Sequence, residues 1–517
     1  MKRALISVYK KEGIEDFARS LKKLGWEIIS TSGTAKILEK AGIEITPVET
    51  LTQYPEVFDG RLKTISFQIE AGILFNREDP RHVKDAEVSG VKSIDMVICN
   101  FYPFADIAAS AGTADEAIEG IDVGGPTMAR AAAKNFKNVV VVTDPSQYQL
   151  IIDELNKYEE ASFETRKKLA STAFYTLSKY DASVYKYFNK KFFNEESYDL
   201  RLNKGKKLRY GENPHQEGYF YKTDAEDGLV ISDFMKIQGK ELSFNNILDL
   251  DRALNALSFI AGKEPACVIV KHGNPCGAAR RAAVRDNAEN AFLNAWDGDS
   301  LAAFGGVIVI NKEVSKELAE FMLKDGRFFE ILAAPEVSEG AKEIFSKKPK
   351  LIILKNPALY NPALNKEKDY KKVRGGFLVQ SPDIYELKKE NLKVVTKTSP
   401  SEAQTEDMIF AWQICRASIS NTVVMVKDKK LISSGAGQQD RKRAAELAVI
   451  KAGDRAKGCV AASDGFFPFS DGPEILLKAG VSAVIQPGGS IRDKDTIGVC
   501  DKYNIPMVFT GLRCFKH

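Results

Sequence analysis

Histidine is scarce in this chain: 517 residues contain four, His82, His215, His272 and His517. Any imidazole chemistry must draw on that short set. Also missing is an apolar run near the ~18 residues a membrane-spanning helix needs, which argues against a membrane partner. The seven cysteines are odd in number, widely spread and without a CxxC pair. That excludes a disulfide frame or a zinc knuckle and fits reduced thiols in a cytoplasm. No basic stripe appears, because 74 lysines and arginines are interleaved with 70 acidic residues, leaving a net charge of +4. A nucleic-acid binder would concentrate that charge; a small, dispersed excess suits a protein that receives small anions. Low-complexity tracts and short-period repeats are absent. The opening, MKRALISVYKKEG, returns to charge directly after ALISV, so it reads as a strand rather than a signal peptide.

What is present is ordinary globular composition, 44% hydrophobic and 28% charged. The chain is too long for one core, so two to four domains are expected. The first ~140 residues alternate strand, loop and helix. ALISV precedes Ile14, Phe17, Leu21 and Leu24 at helical spacing, with a stop at Gly25. WEIIS, TSGT and AKILEKAG repeat the pattern, and SIDMVICNFYPF and NVVVVTD are further strands. Such alternation predicts a parallel sheet with ligands at the carboxyl ends of its strands. Residues 145–185 read as helices. The charged stretch NKKFFNEESYDLRLNKGKK lacks apolar periodicity and places a boundary near residue 200, giving domains 1–198 and 199–517. The second part carries strands ACVIVKH, GVIVIN, KLIIL, TVVMVK, SAVIQ and IPMVF, enough for two similar lobes.

Several loops have phosphate chemistry. Thr31, Ser32, Gly33 and Thr34 lie between a strand and a helix, where backbone N–H groups and the helix dipole favour an anion. Ser7 and Lys11 can reach the same point from the first strand's end. A hydroxyl-rich helix cap is the other reading, and the favoured one from this loop alone. Asp122-Val123-Gly124-Gly125-Pro126-Thr127 opens an alanine-rich helix, with proline suited to its first turn. On that helix Arg130 and Lys134 share a face. A solvated face is one reading; buried cations awaiting an anion, given the alanines around them, is the other. Arg61, Lys63 and Thr64 crowd charge and hydroxyl into one turn, and Tyr102 stands at a strand end, as a site tyrosine or a core aromatic.

In the second half, Lys271 and His272 end an apolar strand and are followed by Gly273-Asn274-Pro275-Cys276, a plausible acid–base pair. Pro275-Cys276 begins a zinc-deaminase-like PCxxC string. Ala279 fills its second cysteine position, however, and Asn274 stands where HxE requires glutamate. No HExxH or tetrahedral set occurs elsewhere, so no metal is expected.

Taken in order, the strings SVYKKEG, TSGTAK, GRLKT, NFYPF and IDVGGPTMARAAAKN, then LRYGENPHQ, LSFNNILDLD, VKHGNPCGAA, LAAFGGVIVIN, RGGFLVQ, SNTVVMVK, GAGQQDRKRAA, ASDGFFPFSDG and IQPGGSIRDKD, resemble the bifunctional AICAR transformylase/IMP cyclohydrolase family across essentially the whole chain. The resemblance implies an α/β protein. Its N-terminal domain would be a methylglyoxal-synthase-like parallel-sheet cyclohydrolase, and its C-terminal domain a cytidine-deaminase-like, two-lobed transformylase without catalytic zinc. It further implies formyl transfer from 10-formyltetrahydrofolate to AICAR, then dehydrative closure of FAICAR to IMP.

By the same resemblance the substrate phosphate sits on Ser7, Lys11, Thr31, Ser32, Gly33 and Thr34. Lys63, Tyr102, Asp122 and Lys134 match the reacting-centre positions of ring closure, with Arg61, Thr64, Gly124 and Gly125 beside them. For formyl transfer His272 is the general base and Lys271 the oxyanion or leaving-group partner. Arg209, Tyr210, Asn421, Gly435 and Gln438 line that site, and a homodimer is expected. Two departures stand out. Ile65-Ser66-Phe67-Gln68-Ile69-Glu70-Ala71-Gly72 replaces the family's LHPKIHGG, and Asp440 replaces a serine. The first motivates an alternative, a transformylase with impaired cyclohydrolase. A nucleotide-binding protein that has lost its chemistry is a third reading, opposed by the intact reacting-centre residues.

Overall fold

The computed structural model describes residues 1–223, 228–280 and 288–517. The chain divides into two units, Met1–Leu200 and Arg201–His517. Both are α/β, as the alternation of strands and helices predicts.

The first unit is built on a five-stranded, wholly parallel sheet. Its spatial order is Thr46–Pro47, Glu27–Ser30, Arg3–Val8, Met96–Asn100 and Val140–Val142. Leu5, Ile6, Ile29 and Val97 are fully buried, because helices cover both faces and a parallel strand is then apolar along its whole length. The helix Ile14–Lys23 buries Ile14, Phe17 and Leu21, as their spacing predicts, and leaves Leu24 exposed at its end. Glu15 and Asp16 in its first turn and Lys22 and Lys23 in its last complement the helix dipole. The first strand of the chain is the middle one of the sheet. The connections from it therefore leave in opposite directions, and a crevice opens at the carboxyl ends of the three central strands.

The second unit holds a twelve-stranded mixed sheet whose two halves repeat one order outward from the centre. Apart from one edge strand at each end, Met235–Gln238 and Lys393–Val394, one half runs Asn274–Arg280, Ala266–Lys271, Val307–Ile310, Ile331–Ala334 and Ile352–Lys355. The other runs Lys430–Gly435, Val423–Lys427, Val460–Ser463, Ala483–Gln486 and Met507–Phe509. In each half an antiparallel hairpin is followed by three mutually parallel strands. The halves join where Ala279 pairs with Lys430. Helix Phe244–Ile260 precedes the first hairpin and helix Glu402–Ala417 the second, and both bury their apolar faces in one shared core.

A glycine occupies the inner strand of each half where a helix comes closest. A β-carbon on Gly277 would lie 2.0 Å from the Ala295 carbonyl oxygen, and one on Gly435 would lie 2.1 Å from that of Ala444. Backbone cannot yield as a flexible side chain can. Gly277→Ala and Gly435→Ala are each expected to destabilise the second unit by about 3 kcal/mol. Gly498→Ala, on an open helix surface with nothing within 4 Å, should be neutral or slightly stabilising. Urea unfolding followed by circular dichroism checks all three.

Candidate functional site

A cavity of about 720 Å³ opens at the carboxyl ends of the first unit's central strands. One end is suited to an anion. Helix Ser32–Lys40 begins after Thr31, whose hydroxyl donates to Ser7 Oγ at 3.0 Å rather than capping the helix. Its first-turn N–H groups therefore lack a side-chain cap. Gly33 lines the cavity, and a β-carbon there would meet nothing within 4 Å. Lys11 Nζ donates to Thr34 Oγ1 at 2.9 Å and to the Val8 carbonyl. Burial lowers the pKa of this ammonium, and its bonded partners are neutral oxygens, so an anionic ligand would compensate its charge. The Ser32 side chain lies outside the described ones.

The other end gathers ionisable groups. Lys63 Nζ lies 2.9 Å from Glu56 Oε1, and Arg61 pairs with Glu119. Asp122 Oδ1 accepts the Gly125 N–H at 2.9 Å, while the Asp122 N–H donates to the Tyr180 hydroxyl at 2.6 Å. Burial raises the Asp122 pKa, partly offset by backbone N–H groups of Gly125 and Tyr102. Tyr102 is 40% exposed and its ring centroid is 5.2 Å from that of Tyr9. The two glycines have steric work here. A β-carbon on Gly124 would lie 2.8 Å from Thr64 Oγ1, and one on Gly125 would lie 2.8 Å from Asp122 Oδ2. Only bare backbone lets the threonine and the aspartate press against the helix start. Lys63 and Thr64 remain on the cavity wall despite the altered stretch that follows. There Ser66 accepts the Ile69 N–H and so caps helix Phe67–Leu74.

Lys134 is not brought to this cavity. It is exposed at the far end of helix Gly124–Lys134, ten residues or ~15 Å along the axis from Gly124. Arg130 on the same helix pairs with Asp181, and both are about half exposed. The buried, unpaired cations that the alanines suggested are therefore not there; the alanines serve packing against the sheet and helix Phe163–Phe188. Asn100 was legible only as part of a strand end. It is 8% exposed, accepts the N–H groups of Tyr9 and Lys10 at 2.7 Å each, and so pins the loop that carries Lys11. Glu56 and Glu119 carried no sequence signal, since acids paired through space lie at no fixed spacing.

The second unit places Lys271 and His272 at the tip of its first hairpin. Lys271 Nζ donates to the Phe304 carbonyl at 2.7 Å, and His272 is exposed. Asn274 Oδ1 accepts the Ile419 N–H at 2.9 Å, joining this tip to the loop before the second hairpin. In that loop Asn421 exchanges backbone hydrogen bonds with Gln438, and its side-chain amide donates to the Gln438 carbonyl at 2.9 Å. Arg441 donates to Asn421 Oδ1 at 2.6 Å and pairs with the fully buried Asp464. His272, Asn421 and Gln438 thus belong to one connected cluster. Gly435 serves the strand–helix approach described above. Arg209, exposed, lies 5.4 Å from the centre of the Tyr210 ring.

Among the described residues no group of three or more His, Cys, Asp or Glu side chains converges as a metal site. Cys276 is a free thiol whose pKa burial pushes up to about 12, so it is not a thiolate. No described helix is long and apolar enough to cross a membrane.

The Asp122 shift has a thermodynamic consequence. Its folded pKa lies above the unfolded value, so ionised Asp122 lowers stability at neutral pH. That cost disappears as the pH falls through the folded value to below the unfolded one, about 3.9. Asp122→Asn keeps an acceptor for Gly125 and is expected to melt higher than the parent at pH 7, with the difference closing towards pH 4. Thermal unfolding across that range measures it, and a lower melting point at pH 7 would count against a buried, ionised carboxylate.

Comparison with known proteins bears on both units. Residues 13–127 match the MGS-like domain and residues 132–451 the AICARFT/IMPCHase bienzyme. Relatives described as bifunctional purine biosynthesis protein PurH align along their entire length and that of this chain. That of Thermoanaerobacter sp. is 44% identical over 519 residues, that of Caldicellulosiruptor bescii 44% over 523, and that of Anoxybacillus flavithermus 42% over 519. With its parallel-sheet first unit, its two-lobed second unit and similarity from end to end, the chain belongs to the AICARFT/IMPCHase bienzyme family.

Proposed function

We propose that this protein performs the last two steps of IMP synthesis. The second unit transfers a formyl group from 10-formyltetrahydrofolate to AICAR, and the first closes the resulting FAICAR to IMP with loss of water. Family membership supports both activities. The observation that carries the assignment of residues is the first unit's cavity, where an anion-binding end and a cluster of lysine, tyrosine and aspartate share one chamber.

In ring closure, the phosphate of FAICAR rests on Lys11, Ser7 and the Thr31–Thr34 turn. The carboxamide nitrogen attacks the formyl carbon. Lys63 and the N–H group at Gly124 stabilise the developing oxyanion, the Gly125 N–H being held by Asp122. Asp122, basic enough to accept a proton because burial raises its pKa, orients or deprotonates the amide. Lys134 is too distant for a direct role in this arrangement. The altered 65–72 stretch leaves Lys63 and Thr64 on the cavity wall, which favours an active cyclohydrolase over an impaired one.

In formyl transfer, the amine of AICAR is a weak nucleophile because its lone pair is delocalised. His272 takes its proton as it attacks, and Lys271 stabilises the oxyanion or protonates the departing folate nitrogen. His272 is exposed in the single chain, whereas acyl transfer is served by a site that excludes water. That supports a homodimer in which a second copy completes the site. The free cysteines support a cytoplasmic protein.

Incubation of the pure protein with AICAR and 10-formyltetrahydrofolate is expected to yield IMP, resolved from FAICAR by chromatography. FAICAR accumulating alone would overturn the cyclohydrolase half. Lys63→Ala should slow closure of purified FAICAR on the order of 100-fold and leave formyl transfer intact. His272→Ala should do the reverse.

A further inference from the structure

Lys271 and Asn274 are directly paired across the first hairpin of the second unit, leaving His272 and Gly273 as its two-residue connection. Both have positive φ, 52° and 75°. Such a hairpin turn suits Asn-Gly, and histidine in its first position adopts a backbone conformation that side-chain-bearing residues mostly avoid. Something outside the turn must hold it. Asp249 does so: its Oδ1 accepts the Gly273 N–H at 2.7 Å and its Oδ2 accepts the His272 N–H at 3.2 Å. Both central N–H groups of the turn end on one carboxylate.

The brace is itself rigid. Asp249 sits in helix Phe244–Ile260, whose N-terminus is capped reciprocally by Ser243 and Asn246. The neighbouring Leu250 is fully buried, as are Ala253 and Leu257 one and two turns on. The helix packs into the same core as the strand that ends at Lys271. On the far side, Asn274 Oδ1 holds the Ile419 N–H at 2.9 Å. The turn is therefore clamped between a helix and the loop that carries Asn421, and the clamp sets the point and direction from which the His272 side chain leaves the backbone.

We infer that Asp249 is a positioning residue for formyl transfer, fixing the His272-Gly273 turn through its two backbone N–H groups so that the imidazole stands where the amine proton must go. This rests on the proposed role of His272 as general base. Asp249 acts through the turn and not on the substrate. Its loss should therefore fall on kcat, since displacement of a general base by about 1 Å costs on the order of 100-fold, while the KM for AICAR stays nearly constant.

The test is a double-mutant cycle in the full-length enzyme. Asp249→Ala removes both acceptors and is expected to lower kcat for formyl transfer about 10- to 100-fold. Asp249→Asn, which keeps one acceptor oxygen, should fall between Asp249→Ala and the parent. In a His272→Ala background, Asp249→Ala should lower the residual rate no further. A full Asp249 effect in that background, or an unchanged kcat in Asp249→Ala, would overturn the inference. A rise in KM alone would also overturn it, by showing a substrate contact. Should Asp249→Ala misfold, Asp249→Asn carries the same cycle. If His272→Ala itself retained normal formyl transfer, the general-base assignment would fail instead, so the two failures are distinguishable.

Discussion

At four places that matter in this protein, backbone is approached more closely than a β-carbon permits. In the second unit Gly277 and Gly435 sit under the carbonyls of Ala295 and Ala444, one in each half of the sheet. Without that approach neither hairpin could lie flat beneath its helix. The tip that carries His272 and the loop that carries Asn421 would then not be held at a common edge. In the first unit Gly124 and Gly125 let Thr64 and Asp122 close on the start of a helix. The geometry of both candidate sites depends on side chains being absent at these points, and glycine alone supplies that absence.

Around that backbone the two units treat charge differently. The first encloses its ionisable groups in a cavity, where desolvation lowers the pKa of Lys11 and raises that of Asp122. Each shift weakens the charged form, so a substrate that brings a phosphate to Lys11 and a proton to Asp122 relieves both. The second unit keeps its histidine in the open and spends a buried ion pair, Arg441 with Asp464, on holding Asn421. A buried pair of this kind contributes little net stability, because desolvation offsets attraction, but it tolerates few alternative arrangements.

Much of the fold was legible in the sequence where apolar residues were β-branched. ACVIVKH, GVIVIN, TVVMVK and SAVIQ all read as strands and are strands. Ile331–Ala334 and Val460–Ser463 escaped notice because ILAA and VAAS carry alanines without strand preference, and Asn274–Arg280 and Lys430–Gly435 because their glycines and serines read as loops. The candidate site was legible where a motif stays contiguous, as in the Thr31–Thr34 turn. A match to a family motif does not fix position within one chain: Lys134 shares a helix with Gly124 but not an end of it. Gly435 matched a binding motif, and the structure gives it a packing duty.

The sequence by itself determined the kinds of chemistry available: four histidines, no convergent metal-ligand motif, hydroxyl and glycine turns at strand ends, and motifs of one enzyme family in order. Local preference and spacing act along the chain, so they can be read along it. Which acid faces Lys63, which asparagine pins the Lys11 loop and which carboxylate braces the His272 turn were decided only by tertiary structure. Glu56, Asn100 and Asp249 lie 7, 90 and 23 residues from the groups they hold, and contacts of that kind arise from how strands and helices stack.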